Sequence, residues 1–157
     1  HAVDNSAAMI QRLQQLLPSW EPGAPVIVME SDLRQVQVTN ASLVVLNLTL
    51  QFLPPAERDD VLKSIAAGML PGGALLLSEK ICFNDAGQQE LMTELHHDFK
   101  RAHGYSDLEI AQKRTAIENR LIPESMETHV QRLRNAGYST VTPWFQCFNF
   151  ASILAVR

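Results

Sequence analysis

The sequence predicts an α/β fold with a doubly wound, mostly parallel sheet. Short apolar runs at residues 26–29, 43–46 and 74–77 alternate with segments of helical periodicity. That is the pattern of parallel strands joined by crossover helices. The runs are unbroken rather than alternating, as in strands covered on both faces. The end of the chain differs: two apolar segments at 141–147 and 150–156, closely connected near Asn149, predict an antiparallel hairpin.

In chain order, residues 2–4 read as the end of a strand and Asn5-Ser6 as a turn and helix cap. Met9, Leu13, Leu16 and Leu17 form a helical stripe, which the three prolines and one glycine of residues 18–25 end. The strand at 26–29 leads to Glu30-Ser31-Asp32, and the strand at 43–46 to Asn47. Pro55 opens a helix whose buried face is Val61, Leu62, Ile65 and Leu70. Acidic residues in its first half complement the helix dipole. Pro71-Gly72-Gly73 stops it, and a strand follows at 74–77. Residues 86–121 then read as two helices broken near Gly104. The first carries Leu91, Leu95, Phe99 and Ala102, the second Ile110, Ile117 and Leu121. A last helix spans about 126–135 and stops at Ala136-Gly137.

The 157 residues suit one domain, and 46% hydrophobic with 19% charged residues implies a globular core. The formal net charge of −4 argues against a broad electrostatic grip on nucleic acid. Cys82 and Cys147 lie in no CxxC spacing and read as reduced core residues of a cytoplasmic protein. No apolar run is long enough to span a bilayer as a helix.

Ligands of open α/β sheets bind at the carboxyl ends of the strands. Asp4, Asp32 and Asn47 each follow a strand there. Asp4 suits ribose hydroxyls; Asp32, with the Leu33 backbone beside it, suits an adenine amino group; the Asn47 amide can donate and accept. The structural alternatives are a helix cap, a turn aspartate and a strand-end turn. Arg114 lies about 40° from the centre of the Ile110, Ile117 and Leu121 cluster on a helical wheel. An arginine on an apolar face either snorkels out, makes a structural ion pair, or meets an anion such as a carboxylate. His96-His97-Asp98 and His103 lack same-face metal spacing, so no metal site is expected and a solvated or hydrogen-bonded helix surface fits them better. Residues 144–150, Trp-Phe-Gln-Cys-Phe-Asn-Phe, read as a buried terminal hairpin.

Three runs, at residues 3–9, 44–53 and 71–75, resemble class I S-adenosylmethionine-dependent methyltransferases, which have a Rossmann-like fold. His96-His97-Asp98-Phe99-Lys100-Arg101, Gln112-Lys113-Arg114 and residues 144–150 resemble the carboxy-S-adenosyl-L-methionine synthase family more specifically. The resemblance covers essentially the whole chain. It implies a transferase that converts S-adenosyl-L-methionine and prephenate to carboxy-S-adenosyl-L-methionine and phenylpyruvate, for 5-oxyacetic acid modification of the tRNA wobble uridine. It implies a cytoplasmic homodimer that touches neither nucleic acid nor membrane. By position, Asp4 and Asn5 would hold the ribose region and Asp32 with Leu33 the adenine. Asn47 would lie beside the sulfonium and amino-acid portion. Arg114 would be both the cofactor-binding and the catalytic arginine, paired with the carboxylate of carboxy-S-adenosyl-L-methionine.

The chain departs from that family before Asp4, where a first strand, a glycine-rich turn and an amino-terminal arm are absent. Residues 1–157 are thus expected to be a single partial domain, with a helical insertion at about 86–121. Without the first strand, a gap of roughly 10 Å, two strand spacings, would separate the strands ending at Asp4 and Asn47. Two other functions fit the same fold: a small-molecule methyltransferase, which needs no carboxylate clamp at Arg114, and a non-catalytic dimerisation fragment.

Overall fold

The computed structural model describes residues 1–20, 23–118 and 120–157, apart from the side chains of Ile117 and Glu118. Glu21 and Pro22 of the expected helix-breaking segment, and the Ile117 side chain of the expected Arg114 face, therefore lie outside the described residues. The chain forms two compact units, His1–Gln37 and Val38–Arg157.

The first unit is a strand–helix–strand crossover. Strand β1 (Ala2–Asp4) pairs in parallel with β2 (Val28–Glu30), and helix α1 (Ala7–Trp20) joins them. Asp4 and Ser6 turn the chain into the helix. Asp4 Oδ1 accepts the Ser6 N–H at 2.8 Å, and the Ser6 hydroxyl accepts the Met9 N–H at 3.4 Å. The helix runs through Pro18 to Trp20, past the expected stop. Its stripe is narrower than periodicity suggests: Ile10 is buried and Leu13 and Leu17 half-buried, while Met9 and Leu16 are exposed.

The second unit is built on a sheet in the order β3-β4-β7-β6. Strand β3 (Ala41–Asn47) runs parallel to β4 (Met69–Cys82), with α2 (Pro55–Gly68) between them in the chain. Helices α3 (Ala86–Ala102) and α4 (Asp107–Glu118) follow, separated by Gly104 in the left-handed region at φ +86°. Strand β5 (Glu124–Ser125) pairs in parallel with the end of β4 and leads into α5 (Met126–Asn135). Strands β6 (Thr140–Cys147) and β7 (Phe150–Val156) form the expected hairpin, and β7 pairs antiparallel with β4. The strand pairings up to β4 are therefore parallel, as expected, and the ending is antiparallel, but β1-β2 and β3-β4 belong to separate sheets, so a single doubly wound sheet is not seen among the described residues.

The sheet has two unlike faces, because side chains alternate along a strand. Leu46, Leu75, Leu77, Glu79, Ile81, Ala151, Ile153 and Ala155 point to one face and are all buried. Leu62, Ile65 and Leu133, from α2 and α5, are buried with them. The other face carries Leu43, Val45, Asn47, Ser78, Lys80 and Phe150. Leu43 and Val45 are more than half exposed, so β3 is covered on one face only, not both.

Helix α2 ends two residues earlier than expected. Met69 is already in β4, paired with Ala41, and the next pair joins Leu43 to Ala74. Residues 70–73 bulge between these pairs, with Gly72 at φ +75° donating its N–H to the Arg157 carbonyl at 3.0 Å. Met69 therefore takes the buried place expected of Leu70, which is 42% exposed. Gly68 is needed at the helix end, since a Cβ there would lie 1.9 Å from the Val38 carbonyl oxygen. Leu91, Leu95 and Phe99 of α3 are exposed rather than packed, as are Trp144 and Phe145 of the terminal hairpin. Cys147 is exposed and Cys82 only partly buried. Among the described residues no helix is long and apolar enough to cross a membrane.

Candidate functional site

In the first unit the carboxyl ends of β1 and β2 lie side by side, with Asp4 in register with Glu30. The Ser31 N–H donates to the Asp4 carbonyl at 3.0 Å, which fixes the chain leading to Asp32. Asp32 caps a single 3-10 turn, Leu33–Gln35. Its Oδ1 accepts the Arg34 backbone N–H at 2.9 Å and Nε at 2.8 Å, and its Oδ2 meets Nη2 at 2.7 Å. The Arg34 guanidinium and N–H hold the carboxyl down at about 2. Asp32 thus uses much of its acceptor capacity on the turn, whereas Asp4 Oδ1 takes the Ser6 N–H. Asn5 is exposed beside it.

In the second unit Asn47 closes β3, exposed and in register with Ser78. The chain then turns through Leu48 at φ +54°. This left-handed backbone is unfavourable for leucine. The Leu48 N–H donates to the Ser78 carbonyl at 2.7 Å, and a 3-10 turn, Leu50–Phe52, follows.

The turn is held from below by Glu79, which is 2% exposed. Its Oε1 accepts the N–H groups of Thr49 and Leu50 at 3.2 and 2.9 Å, and its Oε2 accepts that of Gln51 at 3.0 Å. The Gln51 side chain in turn accepts the Lys80 N–H at 2.9 Å. Burial pushes Glu79 up to about 7, against the three N–H bonds and the Arg58 charge that hold it down.

Arg58, fully buried, anchors the other side of the turn. Its Nε donates to the Leu53 carbonyl at 3.0 Å. Its Nη2 donates to the carbonyls of Leu53, Gln51 and Ile122 at 2.8, 3.1 and 2.8 Å. Its Nη1 pairs with Glu124. Arg132 grips the same carboxylate at 2.5 and 2.8 Å and also Asp59 at 2.5 Å. Those two arginines hold the Glu124 carboxyl down against the burial that raises it. The strand end, the turn and the return of the chain from α4 are therefore one rigid piece.

Arg114 does not face inward as the helical wheel suggested. Helix α4 stops at Glu118, so Leu121 is not on its face, and Arg114 is exposed while Ile110 is buried. The α3 histidines part company. His97 approaches Glu94 at 3.7 Å, and His103 Nδ1 meets the Phe99 carbonyl at 2.8 Å. His96 is no hydrated surface residue: its ring lies 6.0 Å from Phe148 and 5.1 Å from Phe150. Among the described residues no group of three or more His, Cys, Asp or Glu could hold a metal.

In the first unit Asp4, Asp32 and the Leu33 backbone stand at the carboxyl ends of one strand pair. In the second unit the Asn47 amide stands at the end of β3, on a rigid turn. Glu79 and Arg58, which make that turn rigid, were missed in the sequence. Glu79 had a visible signal, an acid at a buried position in the alternation Leu75, Leu77, Glu79, Ile81.

The fold is the one seen in solved S-adenosylmethionine-dependent methyltransferases of class I. A putative O-methyltransferase from Nostoc punctiforme superposes with a TM-score of 0.68 at 13% identity, over 99% of this chain and 43% of that one. The S-adenosylmethionine-dependent methyltransferase SibL in its apo form gives 0.67 at 14% identity, over 99% and 42%. In sequence the chain is similar throughout to carboxy-S-adenosyl-L-methionine synthases. It is 57% identical to that of Trichlorobacter lovleyi over 99% of this chain and 64% of the relative. It is 54% identical to that of Erwinia tasmaniensis over 99% and 63%. The chain thus spans a little under two thirds of the length of these relatives. No family model matches it.

Proposed function

We propose that the protein containing this chain is a carboxy-S-adenosyl-L-methionine synthase. The observation that carries the reading is the 57% identity to such a synthase over 99% of the chain. On this reading S-adenosyl-L-methionine and prephenate give carboxy-S-adenosyl-L-methionine and phenylpyruvate. The prephenate hydroxyl and one methyl proton leave as water, and the carboxyl group passes from prephenate to the former methyl carbon.

Asp4 and Asn5 bind the ribose region, Asp32 and the Leu33 backbone the adenine, and Asn47 the sulfonium and amino-acid portion. The exposure of Asp4 and of the Asn47 amide at their strand ends supports these roles. Arg114 pairs with the transferred carboxylate through its planar fork. Residues 1–157 serve as one partial domain of a cytoplasmic homodimer. The product goes to a separate enzyme that modifies the tRNA wobble uridine, and the net charge of −4 suits a protein that does not itself grip RNA.

The test is to incubate the purified protein with S-adenosyl-L-methionine and prephenate and identify the products by mass spectrometry. Carboxy-S-adenosyl-L-methionine and phenylpyruvate in equal amounts are expected, with the yield collapsing in Arg114→Leu. Transfer of an unaltered methyl group to an added acceptor would replace this reading with that of an ordinary methyltransferase.

A further inference from the structure

Beside Asn47, on the same face of the sheet, stands a group of side chains that neither the fold nor the cofactor residues account for. Asn47 is in register with Ser78, whose hydroxyl lies 2.6 Å from that of Ser152. Lys80 is two residues further along β4 on the same face, about 7 Å away by strand geometry. Lys80 is directly opposite Phe150 on β7. The Phe150 ring meets His96 edge-on at 5.1 Å, and Phe148 lies over His96 at 6.0 Å. Phe148 projects there because it occupies the left-handed region, φ +52°, in the two-residue turn of the hairpin. Lys100 follows His96 by one helical turn on α3, on the same side of the helix. Beyond it, the Tyr105 N–H donates to the Lys100 carbonyl at 3.1 Å, and the Lys113 ammonium sits 4.4 Å over the Tyr105 ring.

Three ammonium groups thus border a wall of three half-buried rings. Lys80 and Lys100 are partly buried, yet among the described residues neither has a carboxylate within ion-pair distance. Partly buried cations without counter-ions repel one another and lose hydration, so the arrangement is stabilised by whatever anion enters it. Four acids of the adjoining helices have other partners, Glu94 among them, which approaches His97 at 3.7 Å. Asp98 and Asp107 bond Arg101, and Glu109 bonds Ser106.

We propose that Lys80, Lys100 and Lys113 with the rings of His96, Phe148 and Phe150 form the binding site for the second reactant, a small organic dianion with a flat ring. The rings take the ring face and the lysines take two separated carboxylates. The site rests on the transferase reading for its neighbour at Asn47, but its ligand class follows from its own side chains. Burial and the charges of Lys100 and Lys80 push His96 down to about 4, so its ring is neutral at pH 7 and serves as wall rather than as a fourth cation. Burial, with Lys113 and Lys80, likewise lowers Lys100. A nucleic-acid strand is a poorer fit, because the two lysines nearest the rings are half-buried and the chain is acidic overall.

The experiment is calorimetric titration of the purified protein with prephenate, with phenylpyruvate as a ring bearing one carboxylate and with succinate as a dianion without a ring. The proteins are wild type, Lys80→Met, Lys100→Met, Phe150→Ala and the charge-preserving Lys100→Arg. Prephenate should bind tightest. Each Lys→Met change should weaken it about tenfold or more, the loss of one charge-assisted bond. Succinate should lose affinity in Lys→Met but not in Phe150→Ala, and Lys100→Arg should restore most of the binding. S-adenosyl-L-homocysteine affinity and the melting temperature of Lys80→Met and Lys100→Met should stay within experimental error of wild type. Equal prephenate affinity in wild type and both Lys→Met variants would overturn the proposal. So would an unselective response to all three anions, or preferential binding of a single-stranded RNA oligomer through these lysines. Failure of the transferase reading would look different: no S-adenosyl-L-homocysteine binding in any variant.

Discussion

Replacing Arg58 with methionine isolates the guanidinium, because Met keeps an unbranched apolar stem of similar reach. In the folded protein the Leu53 carbonyl would lose both of its Arg58 donors and the Ile122 carbonyl one, whereas the Gln51 carbonyl would keep the Ile122 N–H at 3.0 Å. Glu124 would keep two bonds from Arg132. A buried acceptor left unpaired costs about 1–3 kcal/mol. The Leu53 carbonyl bears that cost in full, and the Ile122 carbonyl, on a half-exposed residue, recovers part of it from water. Removing a buried charge returns some desolvation energy. The expected net loss is about 2–4 kcal/mol, a large part of an ordinary domain's stability. Urea unfolding followed by circular dichroism measures it, and hydrogen exchange localises it. The Ile122 and Leu53 amides should exchange faster, while those of β7 should slow or quicken only with global stability. A loss below about 1 kcal/mol, or uniform acceleration of exchange, would refute the view that Arg58 ties the turn to the returning chain.

Three other outcomes follow from the same geometry. Glu79 is raised from 4.5 to about 7, so its contribution is fully present below pH 4.5 and is lost as pH rises through 7; wild type should lose about 3 kcal/mol relative to Glu79→Gln between pH 4.5 and pH 9. Paired urea melts at the two pH values check this, and a pH-independent difference would refute it. His129 is buried, both its ring nitrogens lack a partner among the described residues, and burial lowers it to about 4, so its contribution is present above pH 6.5 and is lost as pH falls through 4. His129→Leu should flatten about 2–3 kcal/mol of the acid limb of the stability profile between pH 7 and pH 4.5. Gly68→Ala should cost about 1–3 kcal/mol, since its methyl would meet the Val38 carbonyl; an unchanged midpoint in urea would show that the crossing can open without penalty.

Where local chemistry decided the structure, the sequence was a good guide. The turn at Gly104, the stop at Gly137 and the hairpin over Asn149 lie where glycine or a short polar connection requires them. The strand ends at Asp4 and Asn47 were legible because each closes an apolar run. Burial was less legible, since an apolar residue reports a preference and not a neighbour. Leu43 and Val45 read as core yet are exposed, and Leu70 gave its place to Met69 once the ladder began earlier. Arg114 was misplaced because Leu121 lies past the end of α4, which removed one corner of its apolar face. Glu79 showed only as an acid in an apolar alternation, and Arg58 not at all, because their partners are backbone groups and a sequence does not show where a distant main chain will offer its N–H and carbonyl groups. The ring and lysine group was split between β4, α3, α4 and the hairpin, so only the folded chain assembles it.

Strand β4 puts Ser78, Glu79 and Lys80 on alternate sides, so that neighbouring residues serve different layers. Deleting or inserting a single residue just before Ser78 would exchange those layers. The carboxylate would leave the buried turn for the open face, and the lysine would enter the core. Length variation in this part of the chain is therefore compatible with both roles only in steps of two residues, or where a compensating bulge restores the alternation. The looped-out residues 70–73 are such a place, close enough in the strand to absorb a change before it reaches Ser78.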